Sequence, residues 1–212
     1  MKKISQARVA IFGLGGVGSY AAEALARTGI GHFELIDKDL IDPTNINRQL
    51  CALETTIGQA KVKVIQNRIL QINSEAKVKS HLIYYKEDTG FDFLPDQLDY
   101  IVDAIDSVKD KIDLIIKAKE NNIPIVSALG AGNKYDPTKF QVCDIFDTYN
   151  DPLAKAMRVN LRKAGISKHK VVFSPEKPAF KDPSLISSLA YVPSVSGLIC
   201  ASVVIEDIVG LS

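Results

Sequence analysis

Cysteine is scarce in this sequence. Its three residues, Cys51, Cys143 and Cys200, lie far apart and form no CxxC pair. That spacing excludes a four-thiolate structural zinc and suits a reducing cytosol. A free cysteine is more often a small core hydrophobe than a nucleophile, so no catalytic thiol is assigned. Histidine is as sparse: His32, His81 and His169 are scattered and suggest no metal site. The net charge is only +1, which by itself predicts no polyanionic partner. No uninterrupted apolar run is long enough to span a bilayer. The tail Val192–Leu211 is broken by Pro193, Gly197, Glu206 and Asp207 and reads as a buried or interface helix. Met1-Lys2-Lys3 before an apolar run imitates a signal peptide, yet Gln6 and Arg8 interrupt it. A cytoplasmic protein is expected. Internal repeats and low-complexity stretches are also lacking.

A hydrophobic share of 46% excludes both disorder and a fibre, and 212 residues suffice for one well-buried domain. The small net charge conceals an uneven distribution. From Leu153 to Lys181 there are eight Lys or Arg against one acid, Glu176, a local excess of +7. The rest of the chain holds eighteen bases and twenty-four acids. A basic arm on an acidic body results.

Strand and helix patterns alternate through the first 130 residues. Strands are expected at Arg8–Phe12, His32–Asp37, Lys77–Tyr84, Tyr100–Ala104 and Pro124–Ala128, and helices at Val17–Thr28, Gln59–Ile72 and Val108–Asn121. Such alternation implies an α/β, Rossmann-like, mainly parallel sheet with helices on both faces. Loops after the strands then line one edge, where ligands bind. After Gly132 the pattern changes to a strand at Phe140–Phe146, a basic amphipathic helix at Pro152–Ala164, a strand at Val171–Phe173 and a closing helix at Ser194–Val209. One domain over 1–212 is expected. Its nucleotide-binding half is 1–132 and its partly antiparallel second half 133–212, with a basic helical insertion at about 150–182.

Gly13-Leu-Gly-Gly-Val-Gly18 places GxGxxG between a strand and a helix. Gly13 permits the tight turn, Gly15 and Gly16 let the backbone approach phosphates, and Gly18 lets the helix pack close to the strand. The free N–H groups and dipole of that helix then face the anion. Asp37, closing the next strand, can accept hydrogen bonds from ribose hydroxyls. This fingerprint alone would fit a dehydrogenase. The charges that follow fit nucleotidyl transfer better, because charge moves onto a departing pyrophosphate that fixed cations and a metal stabilise. Arg48 and Lys61 are candidate cations, and Asp106 is the candidate Mg²⁺ ligand. Asp103 reads as a satisfied strand-end carboxylate.

The motifs Gly13-x-Gly-Gly-Val-Gly-Ser19, Ala24-Leu-Ala-Arg-Thr-Gly-Ile-Gly31, Thr44-Asn-x-Asn-Arg-Gln49, Asp103-Ala-Ile-Asp-Ser107, Asp136-Pro-Thr138 and Asp151-Pro-Leu-Ala154 carry a resemblance. The chain resembles the family of ubiquitin-activating enzymes and their bacterial relatives. Within it, the chain is most similar to the branch of tRNA threonylcarbamoyladenosine dehydratases. The resemblance implies ATP and Mg²⁺ as cofactors, a tRNA substrate and a homodimer. It places phosphates at Gly13, Gly15, Gly16 and Gly18 and ribose near Asp37 and Asp39. The triphosphate lies at Asn45, Arg48 and Lys61, and the metal at Asp106. Arg48, Lys61 and Asp106 are the implied catalytic set. The family also carries an N-terminal arginine that reaches the opposite subunit, whereas only a few residues here precede the first strand.

The expected reaction adenylates the carboxylate of threonylcarbamoyladenosine in tRNA and closes a ring within that side chain. Intramolecular capture needs orientation more than a protein nucleophile. The alternatives are activation of a sulfur-carrier protein's C-terminal glycine, which would bring a sulfur-transfer partner, and a nucleotide-binding scaffold without turnover. Lys155, Arg158, Arg162, Lys163, Lys168 and Lys170 are the candidate tRNA contacts. Their helical spacing suits a phosphate track. The small residues Ser196, Gly197, Ala201 and Ser202 of the closing helix suggest its packing against a second copy.

Overall fold

The computed structural model describes residues 2–177 and 188–211. Lys181 and the end of the expected insertion lie outside these residues. Seven strands form one sheet in the order β3-β2-β1-β4-β5-β7-β6. They are β1 Arg8–Phe12, β2 His32–Ile36, β3 Lys77–His81, β4 Tyr100–Asp103, β5 Ile125–Ala128, β6 Gln141–Asp144 and β7 Lys170–Phe173. All pairings are parallel except β6 with β7. The central strands β1, β4 and β5 are buried at every position but Arg8 and mainly apolar, as a sheet covered on both faces requires.

Two apolar clusters sandwich the sheet. On one face lie α1 Lys2–Gln6, α2 Gly18–Thr28, α3 Lys61–Ile72 and α6 Tyr191–Val209, and on the other α4 Val108–Glu120 and α5 Pro152–Lys163. α2 buries Ala21, Ala22, Leu25 and Ala26 and ends at Gly29, whose φ of 96° closes the helix in the left-handed region. Helix α5 starts sharply. Pro152 occupies its first turn and the Asp151 carboxylate accepts from the Ala154 N–H at 3.0 Å.

Residues 150–182 were expected to form an insertion, and here the fold differs. α5 buries Ala154, Met157 and Leu161 in the cluster shared with α4, and β7 lies between β5 and β6. The basic segment is therefore built into the sheet and its cover. Apolar positions spaced three and four apart among the cations drive that packing.

The closing helix starts at Tyr191, earlier than expected, and packs mainly on α2. By length and composition it could cross a membrane, but half of its apolar window is buried inside the fold. Ser196, Gly197 and Ala201 face inward, so they do not serve a second copy. Gly197 in particular meets α2 backbone: a Cβ there would stand 2.2 Å from the Val17 carbonyl oxygen. Alanine at this position gains about 1 kcal/mol of helix propensity. It must also push two helices apart, which costs about 1–3 kcal/mol in a packed core. The clash dominates, so Gly197→Ala should lower unfolding free energy in urea. Gly210→Ala has open space at its Cβ, in the left-handed backbone (φ 80°) beyond the helix end, and should cost about 1 kcal/mol through backbone strain alone.

Candidate nucleotide site

The carboxyl ends of β1, β2 and β4 open onto a cleft of about 410 Å³. Its walls include Gly13, Gly15, Gly16, Asp37, Asp39, Asn45, Arg48, Lys61 and Asp106. Every expected nucleotide residue except Gly18 thus lines one cavity. Gly18 works from behind. A Cβ on it would lie 1.8 Å from the Gly13 carbonyl oxygen, so only glycine lets α2 begin this close to the turn. Gly13, at φ 83°, needs the left-handed region and equally lacks space, since a Cβ would lie 2.6 Å from the Ala104 carbonyl oxygen.

Asp37 ties the turn to β2. Its carboxylate accepts from the Leu14 N–H at 2.6 Å and from the Asp39 N–H at 2.8 Å. Burial pushes its carboxyl above the usual range, and those two N–H groups oppose the shift. Asp39 pairs with the buried Lys61 ammonium at 2.9 Å. The Arg48 guanidinium is held by the Thr44 carbonyl and by Asn47 Oδ1, both at 2.9 Å. Asn45 is partly spent on its own turn, accepting from the Asp42 N–H at 3.2 Å. Asp106 is exposed in the cleft, its carboxylate in no ion pair among the described residues. Mg²⁺ suits such a position, because it takes one or two carboxylates and completes its shell with phosphates and water.

Asp103 is fully buried and faces away from the cleft chemistry. Its Oδ1 pairs with the buried Lys111 ammonium at 2.8 Å and accepts from the Ile105 N–H at 3.1 Å. Its Oδ2 accepts from the Ser127 hydroxyl at 2.5 Å. Ser127 Oγ in turn lies 2.8 Å from His169 Nε2. With the serine proton committed to Asp103, Nε2 must carry the imidazole proton and donate it. Nδ1 then has no hydrogen-bond partner among the described residues. Burial pushes His169 down to about 3, with Lys119 and Lys111 adding to the shift.

Sequence reasoning missed several walls of the cleft: Gln49, Ile83, Tyr84, Tyr85, Ala131, Gly132, Ser188 and Pro193. Gln49 stands beside Arg48 in one motif, which was the available signal. The strand β3 ends at His81, so Ile83 to Tyr85 leave the sheet and turn into the cleft. Burial raises Cys51 and Cys143 to about 11 and Cys200 to about 12, so none is a ready thiolate.

The basic group is divided. Lys155, Arg162, Lys163 and Lys168 are exposed, and the Arg162 guanidinium lies 4.9 Å from the Phe146 ring centre. Arg158 is half-buried and donates to the Thr148 carbonyl at 2.9 Å and to the Thr148 hydroxyl. Lys170 binds both oxygens of Asp207 on α6 at 2.7 Å, on the opposite face of the sheet from α5. Alternation along β7 puts Lys170 there, with Val172, while Val171 faces α5. These two cations are structural rather than part of an open track.

A family model described as the ThiF family matches residues 1–211. The chain belongs to the ThiF family. A relative from Bacillus subtilis, tRNA threonylcarbamoyladenosine dehydratase, is 44% identical across 98% of this chain and 89% of its own. The Escherichia coli relative of the same name is 39% identical across 95% and 74%. The crystal structure of the E. coli enzyme in complex with ATP aligns with a TM-score of 0.92 at 36% identity, covering 99% of this chain and 88% of that one.

The His169 shift makes stability depend on pH. The folded state holds the imidazole neutral down to about pH 3, while the unfolded chain protonates near 6.5. The unfolded state therefore binds the extra proton between these values, and the His169 contribution declines as pH falls below 6.5. His169→Gln should remove about 1.4 kcal/mol per pH unit of that decline between pH 6 and 5. Urea unfolding of both proteins at several pH values measures it, and equal slopes would refute the neutral buried imidazole.

Proposed function

We propose that this chain is an ATP-dependent dehydratase that adenylates the carboxylate of threonylcarbamoyladenosine in tRNA and promotes its cyclisation. The observation that carries the reading is the near full-length match to an ATP-bound enzyme of that name. It is joined by a cleft in which the glycine turn, Asp37, Arg48, Lys61 and Asp106 converge. Residues 1–212 work as a single adenylating unit, in the cytoplasm. A homodimer remains part of the proposal, with an interface other than the inward small residues of α6.

In this reading the N–H groups at Gly15 and Gly16 and the α2 dipole receive the phosphates. Asp37, held in place by two backbone donors, offers its remaining acceptor capacity to the ribose, and Asp39 stands beside it. Arg48, Lys61 and Asn45 face the triphosphate. Lys61 is already desolvated beside Asp39, so it needs little reorganisation as charge develops on the leaving group. Mg²⁺ held by Asp106 would supply further charge neutralisation at the phosphates. A substrate carboxylate oxygen attacks the α-phosphorus and the bond to the β-phosphate oxygen breaks, releasing pyrophosphate. A nucleophile within the same side chain then attacks the acyl carbon. The ring closes and AMP departs with the former carboxylate oxygen.

Outside the cleft, Lys155, Arg162, Lys163 and Lys168 follow α5 and the loop after it as a path for tRNA phosphates. Arg162→Ala/Lys163→Ala should flatten the salt dependence of tRNA binding by about one unit per lost contact and leave ATP affinity unchanged. An unaltered slope would return these residues to plain surface.

Titration calorimetry should show ATP·Mg²⁺ binding and no NAD binding. Lys61→Ala and Asp106→Ala should each lower AMP formation at least about 100-fold with a native circular dichroism spectrum. Removing Lys61 leaves Asp39 half-exposed to water, which limits the cost to the fold. AMP formation with a sulfur-carrier protein and none with the modified tRNA would overturn the assignment.

A further inference from the structure

Three segments are knitted together beside the cleft. The loop after β5 lines it through Ala131 and Gly132 and continues into Lys134, Tyr135 and Asp136. Lys134 is buried; its ammonium donates to the Ser174 carbonyl at 2.8 Å and lies 3.6 Å from Asp151 at the start of α5. The Tyr135 and Asp136 N–H groups donate to the Glu176 carboxylate, the latter at 3.0 Å. Asn150 Nδ2 reaches the Pro175 carbonyl at 3.5 Å. The Tyr135 backbone is thus tied to the strip 174–176, and Asn150, next to Tyr149, reaches the same strip through its side chain.

Both tyrosine side chains nevertheless face solvent, Tyr135 at 43% exposure and Tyr149 at 52%. Tyr149 rests edge-on against the buried Phe173, with ring centres 5.9 Å apart, so its ring plane is held while one face stays open. The charge around them is mixed: Asp147, exposed two residues before Tyr149, is in no ion pair among the described residues. Asp136, Asp151 and Glu176 are spent on backbone N–H groups or on lysines. Lys155 and Lys177 are exposed at the ends of the same segments. Large, anchored, solvent-facing aromatic rings beside unspent ammonium groups suit unpaired nucleotides, which stack on aromatics while their phosphates meet cations.

Resting on the tRNA reading above, we infer that Tyr135 and Tyr149 form a stacking platform for unpaired tRNA bases flanking the modified nucleotide. Tyr135 is three residues from the cleft wall at Gly132, within about 10 Å along the chain. The platform is placed to catch neighbours of a base whose side chain enters the cleft. α5 then takes phosphates farther along the molecule. Aromatic stacking binds any base, so the platform selects a single-stranded loop over a duplex.

The test measures binding of tRNA bearing threonylcarbamoyladenosine by fluorescence anisotropy, across a salt series, for wild type, Tyr135→Ala, Tyr149→Ala, and Tyr135→Phe and Tyr149→Phe. Each alanine should weaken binding roughly 5- to 100-fold. Its salt slope and ATP affinity should not move, because no phosphate contact is lost. Each phenylalanine should bind like wild type. Alanine variants that bind like wild type, or phenylalanine variants as weak as alanine, overturn the platform. Wild-type protein that does not bind this tRNA overturns the underlying reading instead, and that result is visible before any variant is made.

Discussion

The fold depends on one buried ion pair. Asp103 and Lys111 are both fully enclosed, and their 2.8 Å contact joins the end of β4 to the first turns of α4. Two charges in such a place are tolerated only when each is paired and their other hydrogen-bonding capacity is used. Here it is used. Ile105 N–H and Ser127 hydroxyl complete Asp103, and the Asp103 carbonyl lies 3.4 Å from the ammonium. Removal of either partner would leave an uncompensated charge at a cost of about 3–5 kcal/mol.

That pair also decides where the cleft lies. Ala104, Ile105 and Asp106 follow Asp103 directly and all three line the cavity. The Ala104 carbonyl oxygen sits where any side chain on Gly13 would have to go. The β4 terminus and the phosphate turn are therefore fitted to one another, and the turn's glycines answer to a neighbouring strand as much as to a ligand. Ser127 and His169 extend the same network across β5 to the start of β7. Four strands' worth of sequence converge on the position of one exposed carboxylate, Asp106.

Much of this was legible in the residues. The first five strands and three helices follow from apolar periodicity and from glycine at the turns, with β1 unshifted and the ends of the others moved by at most three residues. The glycine turn, Asp37, Arg48, Lys61 and Asp106 were visible as motifs, and the cavity gathers them. What sequence could not give was the direction of individual side chains. Charge counting treats Lys170 and Arg158 like their neighbours, although strand alternation turns the first toward Asp207 and a free carbonyl claims the second. Asp103 read only as a satisfied carboxylate, since Lys111 looks like any helix-surface lysine until α4 is docked. Tyr84 and Tyr85 gave no signal because β3 ends earlier than its apolar pattern.

Helix α6 closes the structure from far away in the chain. Gly197 rests on the Val17 carbonyl, and Pro193 forms a wall beside Gly16, contacts that span roughly 180 residues. Until those late residues have left the ribosome, α2 lacks its principal neighbour and the apolar cluster on that face of the sheet lacks the α6 residues Val192, Cys200, Val203 and Val204. Closing so long a loop is slow compared with local helix formation. The nascent chain therefore emerges with its glycine turn long before Ser188 and Pro193, which complete the wall of the cleft beside it.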